Sequence, residues 1–303
     1  ALEIYRRLAA ANPQAYEPDV AMTLNNLAIL YNSTRRFGES EAMFREALEI
    51  YRRLAAANPQ AYEPYVARTL PNLALLYSNT QRFGESEAMY SEALEISRRL
   101  AAANPQAYEP DVAETLYSLG FLKANQEKYS EAIPPFEEAA RTYKDLSKVN
   151  PALQRWYIYS LYFLSKLYGE VNKEDSVYQV CVEMLPMLQE KYKEDTDLWK
   201  SDYAEILSRL SFATLLIKKD YSEAERLARE GIAVDSTQHW IATNLAASLL
   251  FQGKYAEAEG IYRQYKDELK AGFLDAFKRF AEEGAIPKER EGDVEKIKKI
   301  LEE

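Results

Sequence analysis

A 46-residue segment that recurs almost unchanged constrains this chain more than any other feature. Residues 19–64 and 65–110 differ at 10 of their 46 positions, which leaves 36 identical. The last part of the same unit also stands at residues 1–18, so we expect the natural protein to be longer. A period of about 20 to 50 residues is typical of solenoids, in which each unit stacks on its neighbours to bury an apolar face.

Prolines and apolar periodicity predict two helices in each unit. The residue before a proline is driven out of the helical region, so each Asn-Pro dipeptide predicts the end of a long helix. These dipeptides lie at 12–13, 58–59, 104–105 and 150–151. Pro18, Pro64 and Pro110 are predicted to precede the next helix. From Asp19 a 3.6-residue apolar period predicts helix A to about Ser33, and helix B follows from about Glu39 to Ala57.

Composition excludes several classes of protein. A net charge of −10 opposes binding to nucleic acid, which requires clustered Lys and Arg. No run of about 18 apolar residues exists, so no membrane span is expected within this segment. The single Cys181 excludes an intrachain disulfide and fits a reducing compartment, so we expect a cytoplasmic location. Neither paired Cys or His spacing nor a glycine-rich phosphate loop is present, and no metal or cofactor is expected.

The core positions of the hairpin carry a family resemblance. With Tyr31 counted as position 11, the signature positions 4, 7, 8, 17, 20, 24 and 27 are Leu24, Leu27, Ala28, Phe37, Ser40, Phe44 and Ala47. This pattern resembles the tetratricopeptide repeat, with Ser40 where the family usually has alanine. The segment Leu24 to Tyr31 and the long helix B are similar to the extended repeats of kinesin light chains and of bacterial arrays. The resemblance implies an all-α, right-handed superhelix of antiparallel helical hairpins.

The repeats divide the chain into one solenoid of unequal units. After a half-repeat at 1–18, elongated repeats are predicted at 19–64, 65–110 and 111–151, a degenerate one at 152–194, shorter ones at 195–236 and 237–267, and capping helices at 268–303. Pro71 predicts a local bend or a delayed start of its helix A, and Pro186 predicts a kink. The helix A register of the fifth repeat is ambiguous by one residue.

Differences between the first two complete repeats indicate a binding surface. In the family, helix A positions 2, 5, 6, 9, 12 and 13 line a concave groove, and five of the ten differences fall on these six positions. Free drift of exposed positions is the alternative explanation. Exposed helix B residues such as Arg52 and Arg53 nevertheless repeat unchanged, which favours a diversified recognition surface.

The candidate groove residues share these helix A positions. They are Asn25, Asn26, Ile29, Arg68, Asn72, Leu75, Tyr117, Ser118, Phe121, Tyr162, Lys166, Arg209 and Asn244. Amide side chains offer both a donor and an acceptor, so Asn26 and Asn72 are predicted to hold a peptide backbone, with Tyr117, Phe121 and Tyr162 as anchors.

The sequence favours a non-enzymatic scaffold, as a monomer, that binds an extended peptide or a partner domain in this groove. The alternative is a regulatory or sensor arm of a larger enzyme with a protease-like or nucleotide-binding domain. His239 is the only histidine and Cys181 the only cysteine, and an exposed histidine and a packed thiol explain them better than catalysis does.

Overall fold

Each Asn-Pro dipeptide ends one helix and begins the next in the computed structural model, which describes residues 1–303. In the first three dipeptides the asparagine side chain accepts a hydrogen bond from the backbone N–H three residues later, at 3.2 to 3.3 Å. The proline is the first helical residue, where its missing N–H costs no hydrogen bond. Helix A therefore begins at Pro13, Pro59 and Pro105, and the starts predicted at residues 19, 65 and 111 are wrong.

The whole chain is helical and contains no strand. The helices are α1 (Leu2–Ala11), α2 (Pro13–Ser33), α3 (Phe37–Ala57), α4 (Pro59–Asn79), α5 (Phe83–Ala103), α6 (Pro105–Ala124), α7 (Tyr129–Val149), α8 (Gln154–Glu170), α9 (Glu174–Glu194), α10 (Thr196–Ala213), α11 (Tyr221–Val234), α12 (Ile241–Phe251), α13 (Tyr255–Glu282) and α14 (Glu291–Glu302). The segment Thr214–Lys218 is a π-helical extension of α10. None of these helices has the length and apolarity to cross a membrane.

Several prolines lie inside these helices, contrary to the prediction that Pro18, Pro64 and Pro110 precede them. An interior proline leaves the carbonyl four residues earlier without its donor. For these three prolines that carbonyl belongs to an exposed glutamine in the first helical turn, where water can satisfy it. Pro71 also lies within the continuous helix α4, so the delayed helix start predicted there is wrong.

The turn from helix A to helix B has the same backbone reversal in five repeats. One residue in each turn has a left-handed conformation, with φ between 53° and 61°. These residues are Arg35, Gln81, Glu127, Asn172 and Lys219. Just beyond two of these turns, the buried hydroxyls of Ser40 and Ser86 each donate a 2.8 Å hydrogen bond to a helix A carbonyl. Serine therefore replaces the usual alanine without leaving an unsatisfied polar group.

The chain forms two compact units, Ala1–Ser160 (unit 1) and Leu161–Glu303 (unit 2). In unit 1, ion pairs link consecutive B helices at a constant offset of 40 residues. They are Arg6–Glu46 at 2.6 Å, Arg52–Glu92 at 2.7 Å and Arg98–Glu138 at 2.6 Å. Arg53 also pairs with Glu17 at 2.9 Å. The ion pairs of Arg52 and Arg53 explain why these two arginines recur in the next repeat as Arg98 and Arg99.

In unit 2, the π-helical segment accounts for the ambiguous register of the fifth repeat. Ser211 stands at repeat position 8 and donates a 2.7 Å hydrogen bond to the carbonyl of Ala224 at position 20. These positions are 13 residues apart, whereas Ala28 and Ser40 in the first complete repeat are 12 apart. A π turn holds one more residue than an α turn, so the segment after Ser211 absorbs the additional residue.

Helix α13 bends sharply near the predicted boundary at residue 268. The ring of Tyr262 lies 4.7 Å from that of Phe273 and 5.6 Å from that of Phe277. On a straight helix the first two positions would be about 16 Å apart along the axis. The predicted first capping helix is therefore the second half of α13, joined to the sixth repeat by a bend and not by a helix break.

Candidate binding groove

An exposed apolar stripe runs across the A helices of unit 1. Ile29, Leu75 and Phe121 occupy position 9 in successive repeats and are 44%, 49% and 42% exposed. Their spacing of 46 residues gives each helix one such side chain. We call these three residues the apolar column. All three were predicted as groove residues, and they stand at the same position of three successive A helices.

Pairs of asparagines join α2 to α4 on both sides of the apolar column. Asn72 Nδ2 donates to Asn25 Oδ1 at 3.3 Å, and Asn79 Nδ2 donates to Asn32 Oδ1 at 3.2 Å. We call these the amide pairs. One hydrogen bond between two amides leaves one amide nitrogen and one amide oxygen for another partner, whichever way each amide is turned. Asn26 is exposed beside them and makes no hydrogen bond within the chain.

Asn72 has fewer unused hydrogen-bonding atoms than its predicted role requires, because its amide nitrogen is already bonded within the chain. Its Nδ2 group donates to Asn25 and also, at 3.2 Å, to the carbonyl oxygen of Arg68. Only its Oδ1 atom remains to accept a hydrogen bond from a ligand. Asn72 and Asn25 therefore act as a pair, with Asn25 supplying the donor.

A cavity of about 230 Å³ opens between α4 and α6 at the apolar column. It is lined by Leu75 of α4, by Ser118 and Phe121 of α6, and by Tyr90 of α5. Burial raises the pKa of Tyr90 to about 12, although its hydrogen bond with Ser118 lowers it. The Tyr90 phenol is therefore neutral at physiological pH, and the cavity is apolar with hydroxyl groups in its wall.

Tyr117 is more deeply packed than a free anchor would be. Its ring stands edge-on to Phe136 at 5.2 Å and to Trp156 at 5.5 Å, and burial raises its pKa to about 12. Tyr117 also lines the cavity between α4 and α6. Replacing Tyr117 would therefore disturb the interior of unit 1 as well as the groove.

In unit 2 the predicted groove residues converge on a carboxylate. Tyr162 donates to Glu205 at 2.5 Å, Arg209 donates at 2.8 Å, and Lys166 lies 3.4 Å from the same group. Burial by itself would raise the pKa of Glu205, but the hydrogen bonds from Tyr162 and Arg209 hold it below its ordinary value. These side chains satisfy one another within unit 2. Asn244 is buried and donates to the carbonyl oxygen of Ser208 at 2.8 Å, so it is a structural residue.

The second half of α13 lies across this surface of unit 2. The ring of Phe280 is 5.3 Å from Phe212, which stands at position 9 of α10, and 5.3 Å from Phe251 of α12. Arg279 stacks on Phe212 at 4.7 Å and pairs with the buried Glu174 of α9. A cavity of about 460 Å³ remains between this helix and α10 and α12. Sequence reasoning assigned the apolar stripe of α13 to an end cap and missed this position.

Cys181 and His239, the two residues considered for catalysis, are each held by contacts within the chain. Cys181 is fully buried, and burial raises its pKa to about 12, so the thiol stays protonated. His239 is exposed and its Nδ1 atom lies 2.9 Å from a carboxylate oxygen of Glu268. No group of three or more His, Cys, Asp or Glu side chains is placed to hold a metal ion.

Comparison with known proteins places this geometry among helical repeats. Family models described as tetratricopeptide repeat match residues 20–59 and 65–145. The fold is similar to BtubC from P. vanneervenii, with a TM-score of 0.58 and 21% identity over 78% of this chain and 87% of that one. The apo form of RapI matches with a TM-score of 0.60 and 13% identity over 99% of this chain and 79% of that one. The pilF protein of Pseudomonas aeruginosa matches with a TM-score of 0.53 and 13% identity over 88% of this chain and 99% of that one. No curated protein sequence matches.

The stacked hairpins and the exposed helix A face define a helical-repeat protein. The family models show tetratricopeptide repeats at residues 20–59 and 65–145, and the structural likenesses show the same all-α solenoid fold, which confirms the predicted repeat family and fold class. At these identities the solved structures show the fold alone. Proteins of this fold typically act as interaction scaffolds for protein or peptide partners.

Proposed function

We propose that this protein is a non-enzymatic interaction scaffold that binds a segment of a partner protein in the groove of unit 1. The unit 1 groove comprises the apolar column, the amide pairs and the cavity between α4 and α6. The observation that supports this proposal most is the apolar column, whose three members are 42% to 49% exposed at the same position of three successive repeats. Contiguous exposed apolar surface bordered by polar groups is typical of a protein interaction site.

Different groove residues supply the apolar contacts and the hydrogen bonds of the proposed site. Leu75 and Phe121 flank the cavity and supply apolar contact, which carries most of the binding energy at such sites. Asn25, Asn26 and the Oδ1 atom of Asn72 supply donors and acceptors beside them. Because the amides pair with backbone groups, they orient a ligand segment with little dependence on its side chains.

A site-specific crosslinking experiment tests the groove. A photoreactive amino acid is placed at position 75, and in a control protein at position 198, where Leu198 is 62% exposed on α10. Both proteins are exposed to lysate of the source cell and irradiated. We expect partner adducts from position 75 that are absent from position 198. Equal adducts from both positions, or none from position 75 beside strong ones from 198, would refute binding in the unit 1 groove.

Paired charge variants add an equilibrium test. Leu75→Glu and Leu198→Glu make the same exchange at exposed leucines, so both proteins should fold, as circular dichroism can verify. Leu75→Glu should lose the captured partner and Leu198→Glu should retain it. Arg52 and Arg53 are unsuitable as control positions, because Arg52 forms an ion pair with Glu92 of the next repeat and Arg53 forms one with Glu17 of α2.

A further inference from the structure

The cavity of about 460 Å³ in unit 2 falls within the range of about 300 to 1,000 Å³ that is typical of small-molecule sites. It lies between the second half of α13 and helices α10 and α12, and its apolar lining includes Val177, Phe212 and Ala276. Val177 and Ala276 are buried, so packing holds this part of the wall in place. Trp240 also lines the cavity and is 50% exposed, which leaves its ring accessible to a ligand.

A buried amide in the cavity wall presents a hydrogen-bond acceptor without a partner. Asn244 is 5% exposed, and its Nδ2 group donates to the carbonyl oxygen and the hydroxyl of Ser208, at 2.8 and 3.1 Å. Because a carbonyl oxygen can only accept, this contact fixes which way the amide is turned. The Oδ1 atom accepts no hydrogen bond within the chain and remains accessible. Asn244 therefore contributes an acceptor to the cavity, and that acceptor requires a donor.

The charged groups of the lining leave one carboxylate unpaired. Arg279 pairs with Glu174, and Arg209 pairs with Glu205 at 2.8 Å, so each arginine of the lining already has a carboxylate partner. Asp275 is the third acid of the lining, and it makes no hydrogen bond or ion pair within the chain. Two arginines and three acids give the lining a net charge of −1.

The two lysines beside the cavity also face acids. Lys166 lies 3.4 Å from Glu205, and Lys278 lies 4.0 Å from Glu282. An anionic ligand would therefore meet cations that are already paired. A cationic ligand would instead meet the unpaired carboxylate of Asp275, which favours a cation as the occupant.

We infer that this cavity binds a small organic amine in its protonated form, with an apolar body attached to the ammonium group. Asp275 supplies the opposite charge and Asn244 Oδ1 a hydrogen-bond acceptor for the ammonium donors. The ring of Trp240 attracts the same cation through its π-electrons, and Phe212 and Val177 contact the apolar body. The site shares no residue with the unit 1 groove, so this inference is independent of the proposed function.

Three ligands that share a phenylethyl group test the inference by isothermal titration calorimetry against the full chain. They are phenylethylamine, phenylethyl alcohol and phenylpropionate, which are cationic, neutral and anionic at neutral pH. We expect the amine to bind at least about tenfold more tightly than either of the others, because a hydrogen bond between charged groups is stronger than one between neutral groups.

Matched variants of α13 locate the site. Asp275→Asn removes the unpaired charge and should weaken binding of the amine by about tenfold or more. Asp267→Asn makes the same exchange at another exposed residue of α13 that does not line the cavity, and it should leave binding unchanged. Both side chains are exposed, so both variants should fold, as circular dichroism can verify.

Three results would overturn the inference. Equal binding of the amine and the alcohol, or tighter binding of phenylpropionate, contradicts the charge argument. Amine binding that is as strong in Asp275→Asn as in Asp267→Asn places the ligand elsewhere. A titration without saturable binding of the amine shows that the cavity is not an amine site. Leu75→Glu should bind the amine as the wild type does, so any of these failures leaves the proposed function standing.

Discussion

Replacing Gly120 by alanine is predicted to destabilise the protein, and the first complete repeat provides a comparison for this prediction. A Cβ atom at position 120 would lie 2.7 and 2.8 Å from two ring carbons of Phe136, and that ring is fully buried. In the first complete repeat, Ala28 and Phe44 fill the same two positions and both are fully buried. The same pair of positions thus accepts a methyl group in one repeat and excludes it in the other.

Tyr117 accounts for the difference between the repeats. Its ring packs edge-on against Phe136 at 5.2 Å, whereas the first repeat has the smaller Asn25 at that position. The tyrosine takes up space beside the phenylalanine ring, and the ring in turn occupies the space over residue 120. Glycine at 120 and tyrosine at 117 are therefore coupled through Phe136.

The cost of Gly120→Ala follows from two opposing effects. Forcing a methyl group into a filled core costs about 1 to 3 kcal/mol, and three ring atoms within 3.1 Å place this site toward the upper end. Replacing a helical glycine by alanine returns about 1 kcal/mol. We expect a net loss of about 1 to 2 kcal/mol. In a Tyr117→Asn background the loss should shrink towards zero, a coupling within the range of about 0.5 to 3 kcal/mol for contacting residues.

Urea denaturation followed by Trp156 fluorescence measures this coupling. Trp156 lies 5.5 Å from Tyr117, and replacing Trp199 and Trp240 by phenylalanine in all variants leaves it as the single reporter of unit 1. The four proteins of the double-mutant cycle share this background. A Gly120→Ala protein as stable as its parent, or one destabilised equally with Tyr117 and with Asn at position 117, would refute the steric coupling.

Three further predictions concern stability. Asn58→Ala removes the side-chain cap of α4 and should cost about 1 kcal/mol in urea denaturation; an unchanged midpoint would contradict the capping role. Removing the Arg52–Glu92 pair should cost no more than about 1 kcal/mol in a double-mutant cycle and less at high salt; a larger or salt-independent coupling would contradict the surface ion-pair assignment. Burial by itself would raise the pKa of Glu225. Hydrogen bonds to its carboxylate, the strongest of them from Lys254, instead lower the pKa from an ordinary 4.5 to about 2. Because the folded pKa is the lower one, this stabilisation is present above pH 4.5 and lost as pH falls towards 2, so thermal unfolding of Glu225→Gln should depend less on pH there than that of the wild type.

Local sequence signals predicted helix ends better than helix starts. The stop before Pro59 could be predicted, because a proline restricts the residue before it. The start at Pro59 could not be separated from one after Pro64, since a proline is acceptable in the first turn and also marks helix boundaries. The structure resolves this through the Asn58 cap, whose geometry a single sequence does not reveal.

The candidate groove was predictable in position but not in contacts. The repeat frame placed Leu75 and Phe121 on the exposed face, because the period alone assigns faces on a helix. The pairing of Asn72 with Asn25 depends on how two helices are offset, and the burial of Tyr117 depends on a ring from the next repeat. The path of α13 across unit 2 depends on a bend after Tyr262 that no local signal marked. Each of these features comes from tertiary packing.

The constant offset of the Arg–Glu links has a consequence for how such a gene can change length. Arg6–Glu46, Arg52–Glu92 and Arg98–Glu138 make the junction between one repeat and the next chemically the same along unit 1. An in-frame duplication of residues 65–110, of the kind that unequal crossing-over between similar DNA copies produces, would meet matching side chains at both of its new borders. Every added copy would also contribute one further member to the apolar column, so under the proposed function the binding surface would lengthen by one repeat at a time.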